Sequence, residues 1–354
     1  MRIAIDAMGG DHAPGAILQG CIESLPILDP DDAIVLVGPA DLIRDTLAKS
    51  KVHDDRLQIE PAGDVIDMRE SPVEAVRQKP DSSIVRLCKL ACRKADRPAD
   101  AVISAGNTGA MVSAAMMFMR RLPGVHRPGI AAVLPGFGGH YVLCDVGANP
   151  EPRAQHLAQY AVMAETYARL GLGITRPRIA QLSIGAEAGK GTRMTREVRT
   201  ALEQAPGLNY IGYVEGRDLF NSVADVIVTD GFVGNALLKL SEGLAEALLG
   251  AIFRELTDYD AALAAKIQPV AELLKKKNDY HEYGAAPLLG VNGVCMICHG
   301  SSEPRSIVSA IRNTREYLRN DVNRAIVDRL ADIGPLLDRV IAGRTAGEPA
   351  QEPA

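Results

Sequence analysis

Short, almost uninterrupted apolar runs recur along this chain, each followed by a longer stretch with helical spacing. That alternation restricts the fold more than any other feature. The run Ala33-Ile34-Val35-Leu36-Val37 has no polar face, as expected of a strand whose sheet is covered by helices on both sides. Similar runs lie at 2–6, 33–38, 57–61, 101–104, 130–134, 141–146, 178–184, 209–214, 224–229 and 293–298. Helix-period segments fill the intervals at 14–27, 39–49, 72–79, 82–96, 108–121, 152–170, 192–205, 232–256, 260–277, 302–319 and 322–341. The pattern predicts an α/β fold on a mostly parallel sheet. Residues 1–342 are expected to form one large unit, and the polar, low-complexity stretch 343–354 a disordered tail.

Composition removes several function classes. With 39 Lys and Arg against 44 Asp and Glu the net charge is −5, the wrong sign for a broad nucleic-acid face. Aromatic residues are 4% with no Trp, too few for base-stacking platforms. The longest nearly apolar run, 109–119, falls short of the ~20 residues that span a bilayer. Asp6 interrupts the N-terminus before a secretory apolar region forms. The expectation is therefore a cytoplasmic protein whose six cysteines stay reduced.

The stretch 254–283 reads as a helical pair, bent at Pro269 and ending in Lys275-Lys276-Lys277. Two readings stay open. It is a solvated hairpin or part of a dimer interface, or a helix resting on an anionic membrane surface.

Several familiar motifs fail. Around Gly189-Lys190 a P-loop would need Gly at 184 and Ser or Thr at 191, where Ile184 and Gly191 stand. No G-x-G-x-x-G follows a strand and no G-x-S-x-G occurs. Cys295-Met296-Ile297-Cys298-His299 matches a haem-attachment pattern but lies in a strand-like apolar run, so buried core thiols are expected. Cys88 and Cys92 read as structural residues of a helix. His140 and Asp145 have the spacing of a His/Asp acyltransferase pair, yet an odd separation on a strand sends them to opposite faces.

What survives is a set of glycine-rich polar turns at strand ends, where α/β proteins place ligands. They are Asp6-Ala7-Met8-Gly9-Gly10-Asp11-His12-Ala13-Pro14, Ser104-Ala105-Gly106-Asn107-Thr108-Gly109, Thr229-Asp230-Gly231-Phe232-Val233-Gly234-Asn235 and His299-Gly300-Ser301-Ser302. Asp145-Val146-Gly147-Ala148-Asn149 makes a fifth, and 284–293, with Asn292, reads as a flexible loop. Glycines admit a ligand to the backbone, and helix N-termini offer unpaired N–H groups to anions. Lys190, in its own glycine-rich turn, is placed to clamp an anionic substrate.

These turns, with Gly284-Ala285-Ala286-Pro287-Leu288-Leu289-Gly290, closely resemble the bacterial acyl-[acyl-carrier-protein]:phosphate acyltransferases of phospholipid synthesis, in order from residue 1 to about 320. The resemblance implies a three-layer α/β fold akin to phosphotransacetylases and isocitrate-dehydrogenase-like enzymes. It also implies a homodimer that transfers a fatty acyl group from carrier-protein thioester to inorganic phosphate. The acyl phosphate would pass to a membrane-bound glycerol-3-phosphate acyltransferase, and the helical pair would touch the membrane weakly. Ser183, Ala186, Thr192, Cys295 and Cys298 depart from the family's usual residues.

Phosphate is itself the nucleophile and a thioester is already activated, so neither acyl-enzyme, metal nor cofactor is expected. The protein must hold phosphate, position the carbonyl and stabilise the oxyanion. Backbone N–H groups of 106–109 and 231–235 are expected to hold phosphate, with Asn107 and Asn235 as side-chain donors. Lys190 would neutralise charge, and His299 would protonate the leaving thiolate or orient phosphate. Asp6, Gly9, Gly10, Asp11, Ser104, Gly106, Thr108, Gly109, Asp145, Asn149, Asp230, Gly231, Gly234, Asn292, Gly300 and Ser301 complete the expected binding surface. Arg120-Arg121, Arg127 and Lys275-Lys276-Lys277 are alternative landing points for the acidic carrier. A short-chain phosphotransacetylase and a non-catalytic lipid-pathway scaffold are the rival readings.

Overall fold

The computed structural model describes residues 1–92, 94–277 and 283–345. Its strands are β1 (Arg2–Asp6), β2 (Ala33–Gly38), β3 (Leu57–Pro61), β4 (Ala101–Ser104), β5 (Gly129–Gly136), β6 (Gly139–Cys144), β7 (Arg178–Leu182), β8 (Asn209–Val214), β9 (Val226–Val228), β10 (Ala286–Leu289) and β11 (Val294–Ile297). They form one sheet in the order β3-β2-β1-β4-β11-β10-β5-β6-β9-β7-β8. Only the junctions β11–β10, β10–β5 and β5–β6 are antiparallel. The strands on either side of these junctions therefore form two parallel sets that run opposite ways.

Strand alternation builds the three layers. Ile3 and Ile5, Ile34 and Leu36, and Val226 and Val228 enter one core with α1 (Gly15–Glu23), α6 (Ala154–Gly171), α7 (Arg193–Gln204), α10 (Pro304–Arg319) and α11 (Val322–Thr345). Ala4, Val35 and Ile227 enter a second core with α3 (Pro72–Gln78), α4 (Ser83–Leu90) and α5 (Thr108–Ala114). Both faces of these strands are dry, which is why they read as continuous apolar runs. Cys295 lies in the second core and Cys298 in the first. Facing opposite sides of the sheet, the two thiols cannot share a haem or a metal, and burial pushes both up to about 12. His140 is the second residue of β6 and Asp145 follows its last, so they sit at opposite ends of that strand.

Three expectations need correction. The stretch 284–293 is not a flexible loop, because Ala286–Leu289 is the strand that joins the two halves of the sheet. Four residues containing Pro287 are too short for a periodicity signal. Gly284 at φ +69° and Gly290 at φ +92° mark its ends as turns. The helix expected over 82–96 stops at Leu90. Helix α11 continues through Thr345, three residues into the expected tail; residues 346–354 lie outside the described residues.

The helical pair is formed by α8 (Gly231–Tyr259) and α9 (Ala261–Lys277). The chain turns at Asp260, whose carboxylate accepts the N–H of Ala262 and Leu263, while α9 runs on through Pro269. Leu240, Leu244, Leu248 and Ile252 of α8 are exposed at four-residue intervals. No helix among the described residues is long and apolar enough to cross a membrane.

Where β7 and β9 begin side by side, Asp225 accepts the N–H of Arg178 at 2.7 Å and its guanidinium at 2.9 and 3.0 Å. Burial alone would raise the Asp225 carboxyl, but these bonds outweigh it and hold the group below the usual carboxylate range. A depressed carboxylate stabilises above its unfolded pKa of about 4 and loses that contribution as pH falls. Asp225→Asn should therefore melt below the parent protein at pH 7, with the gap closing at about pH 2. A gap unchanged by acid would contradict the assignment.

Candidate active site

The first group of turns closes around Asp6, which is fully buried at the end of β1. Its Oδ1 accepts the Met8 N–H at 3.0 Å and its Oδ2 the Ser104 hydroxyl at 2.8 Å. Burial raises the Asp6 carboxyl, opposed by hydrogen bonds from Ser83, Ser104 and Met8. Ser104 Oγ in turn accepts the Gly106 N–H. Gly9 is obligatory here, since a Cβ would lie 2.6 Å from the Gly106 nitrogen. Gly300 accepts the Asp11 N–H at 2.7 Å. The turns after β1, β4 and β11 are thus joined in one cluster.

In that cluster Asn107 does not play the part expected of it. Its Oδ1 caps α5 by accepting the Ala110 N–H, and its Nδ2 is shared by the carbonyls of Asp67, Met68 and Glu70. The amide anchors the 67–70 loop instead of reaching for a ligand. The first-turn N–H groups of Thr108 and Gly109 have no acceptor among the described residues. His299 Nδ1 lies 2.7 Å from Ser301 Oγ, and its Nε2 is 4.0 Å from Glu242 on α8. Burial raises the Glu242 carboxyl, against the pull of His299 and Lys239.

The second group is built on Asp145. Fully buried, it accepts four backbone N–H groups: Ile130, Gly147 and Ala148 on Oδ1, and Asn149 on Oδ2 at 2.7 Å. Burial raises its carboxyl while those bonds oppose the rise. Asn149 is also a scaffold residue, its Nδ2 donating to the Pro128 carbonyl and the Tyr160 hydroxyl, its carbonyl accepting the Gly231 N–H. Asp230 caps α8 through the Val233 N–H. The N–H groups expected to cradle phosphate at 231–235 are therefore largely engaged, leaving that of Phe232 without an acceptor among the described residues.

Among the polar side chains of this region without a partner among the described residues are Ser183 Oγ, which is buried, Asn235 and Lys190. Asn235, one turn into α8, stands over Gly147, and Lys190 projects from the exposed loop after β7. β6, β9 and β7 are parallel sheet neighbours, so the 145–149, 229–235 and 183–192 loops leave the same edge about 4.8 Å apart per strand. Asn292 belongs to neither group. It lies in the β10–β11 turn, donating its N–H to the Arg120 carbonyl.

Helix α8 relates the two groups. Asn235 and Glu242 are seven residues apart, two helical turns, so they share a face about 10 Å apart along the axis. Glu242 is the residue that meets His299. One face of α8 thus runs from the Asp145 group to the Asp6 group, with Lys239 between them. Sequence reasoning missed Glu242 and Lys239, because only the tertiary contact with His299 marks them. No three His, Cys, Asp or Glu side chains among the described residues gather to hold a metal ion.

A family model described as fatty acid synthesis protein matches residues 1–325. A phosphate acyltransferase from Geotalea daltonii is 43% identical over 341 residues, covering 95% of this chain and 96% of the relative. One from Desulfitobacterium hafniense is 44% identical over 323 residues, covering 90% of this chain and 95% of the relative. Among solved structures, a phosphotransacetylase from Streptococcus pyogenes covers 90% of this chain and 94% of its own, with TM-score 0.59 and 20% identity. A branched-chain phosphotransacylase from Enterococcus faecalis covers 89% and 98%, with TM-score 0.56 and 15% identity. Those two likenesses are of fold, and they agree with the α/β fold that the family resemblance implies.

The close approach of α8 to Asp145 is directly testable. A Cβ at Gly234 would fall 1.9 Å from the Asp145 carbonyl oxygen, whereas one at Gly243 meets nothing within 4 Å. Gly234→Ala should destabilise by at least about 2 kcal/mol in a denaturant melt, while Gly243→Ala should stabilise by up to about 1 kcal/mol. Asp145→Ala strands four N–H groups and should destabilise by about 3 kcal/mol or more. Equal midpoints for the two glycine variants would refute the packing described.

Proposed function

We propose that this chain, which belongs to the phosphate acyltransferase family, moves a long-chain fatty acyl group from carrier-protein thioester to inorganic phosphate. The observation that carries the reading is the pair of unpartnered donors, Lys190 on the loop after β7 and Asn235 in the first turns of α8 after the neighbouring strand β9. A phosphate dianion needs a cation and hydrogen-bond donors that no protein acceptor already occupies. Phe232 and Ile184, 71% and 82% exposed, flank these donors and give an acyl chain apolar contact.

A phosphate oxygen attacks the thioester carbonyl, forming a C–O bond and a tetrahedral oxyanion. The oxyanion collapses with cleavage of the C–S bond, releasing acyl phosphate and a thiolate that takes up a proton. Lys190 offsets the charge of phosphate, and Asn235 donates to phosphate or the oxyanion. His299, held between Ser301 and Glu242, supplies the proton. Thr108 and Gly109 offer unengaged N–H groups at the start of α5. Asp6, Asp145, Asn107 and Asn149 act by holding the turns in shape.

The reading extends to a cytoplasmic homodimer in weak contact with the membrane, handing acyl phosphate to a membrane-bound glycerol-3-phosphate acyltransferase. The exposed apolar residues of α8 support an association of this kind.

Purified protein incubated with palmitoyl-carrier protein should yield hydroxylamine-trapped acyl phosphate only when inorganic phosphate is present. Acetyl-CoA should give none. Lys190→Ala and Asn235→Ala should each lower kcat/KM for phosphate by about 100-fold or more. Product from acetyl-CoA alone would favour a short-chain phosphotransacetylase, and no product from either donor a non-catalytic scaffold.

A further inference from the structure

We infer that the arginine-lined cleft at Arg120, Arg121, His126 and Arg127 is the docking site for an acidic face of the protein that carries the acyl thioester. The inference rests on the carrier-protein reading above. The cleft has a volume of about 460 Å3 and is also lined by Met116. It forms where the π-helical turn Ala115–Met119 ends and Arg120 takes φ +67°, a region that residues with a Cβ rarely occupy. The following segment is pinned from two sides. Asn292 donates its N–H to the Arg120 carbonyl, and Arg121 Nη1 donates to the His126 carbonyl at 2.5 Å.

Charge accumulates around the cleft with little to balance it. His156 sits edge-on to His126 at 6.3 Å, and its Nδ1 accepts the Arg153 N–H at 3.1 Å. Burial and the charges of Arg127, His126, Arg153 and Arg121 push His156 down to about 4. The acid nearest is Asp338, 3.6 Å from His126. Among the described residues Arg120, Arg127 and Arg153 lie beside no carboxylate within ion-pair distance. A chain of net charge −5 has concentrated unpaired cations in one concave place, which steers an acidic partner there.

Three features favour a protein over a lipid surface. The site is concave, and its cations are arginines, whose forked donors match carboxylates. Met117, 45% exposed, adjoins the lining residue Met116, and an adaptable apolar contact beside arginines is the usual centre of a protein interface. Position agrees: Pro128, next to Arg127, accepts from Asn149, and Ile130 donates to Asp145. A carrier seated here places its thioester arm beside the second group of turns.

The test measures two donors on Arg120→Glu and Arg127→Glu proteins of unchanged melting temperature. One is palmitoyl-carrier protein; the other is the uncharged palmitoyl thioester of N-acetylcysteamine. Anisotropy of fluorescently labelled carrier protein reports binding separately from turnover. Docking predicts that kcat/KM for the carrier donor falls roughly tenfold or more at low salt, with carrier binding weakened equally and the small donor unaffected. Equal loss with both donors would assign the cleft to phosphate or chemistry, and would overturn docking. Unchanged carrier binding, or loss only of binding to vesicles of anionic phospholipid, would overturn it as well. If neither donor turns over in the parent protein, the acyl-transfer reading fails, while the anisotropy still decides whether the acidic carrier binds this cleft.

Discussion

The Asp145 carboxylate is the interaction on which the site depends. An ionised carboxylate taken fully out of water is destabilised unless several donors replace its hydration. Here four backbone N–H groups do so. The same bonds fix the first residues of β5, curl the 145–149 turn, and leave a surface that Gly231 and Gly234 can approach closely. Helix α8 is thereby seated against the end of β6, and its seating determines where Asn235 and Glu242 point.

From that seating follows the relation between the two clusters of turns. The reversal of strand direction at β10, β5 and β6 separates the Asp6 group from the Asp145 group, so loop adjacency alone does not unite them. A helix starting in one group and passing the other supplies the link. The two buried aspartates do similar work at the two ends of this arrangement. Each is raised by burial and constrained by hydrogen bonds from its own turn, which marks both as organisers of backbone. The groups left for chemistry are half-exposed or exposed: Asn235, Lys190 and His299.

The strands were legible because both sheet faces are covered, so nearly every strand residue had to be apolar. Strand β10 was illegible because four residues between glycines carry no period, and its pairing is entirely long-range. The glycine turns announced themselves, since a polar turn after an apolar strand has few other uses. Which amide in those turns binds a ligand was not written locally. Asn107, Asn149 and Asn235 look alike in sequence, yet the first two hold the scaffold and only the third is without a partner among the described residues. The partnership of His299 with Glu242 joins residues 57 apart in sequence, and no spacing rule reaches that far.

The central claim is that Asn235 and His299 serve one reaction from the two ends of the α8 face. A double-mutant cycle measures this directly: phosphate-dependent acyl transfer by Asn235→Ala, His299→Ala and the double variant, each with its melting temperature. Groups acting in one transition state give strongly non-additive losses, with a coupling of about 1 kcal/mol or more. The account predicts such coupling, the double variant being little worse than the poorer single one. Additive losses, or a His299→Ala protein with undiminished turnover, would contradict it.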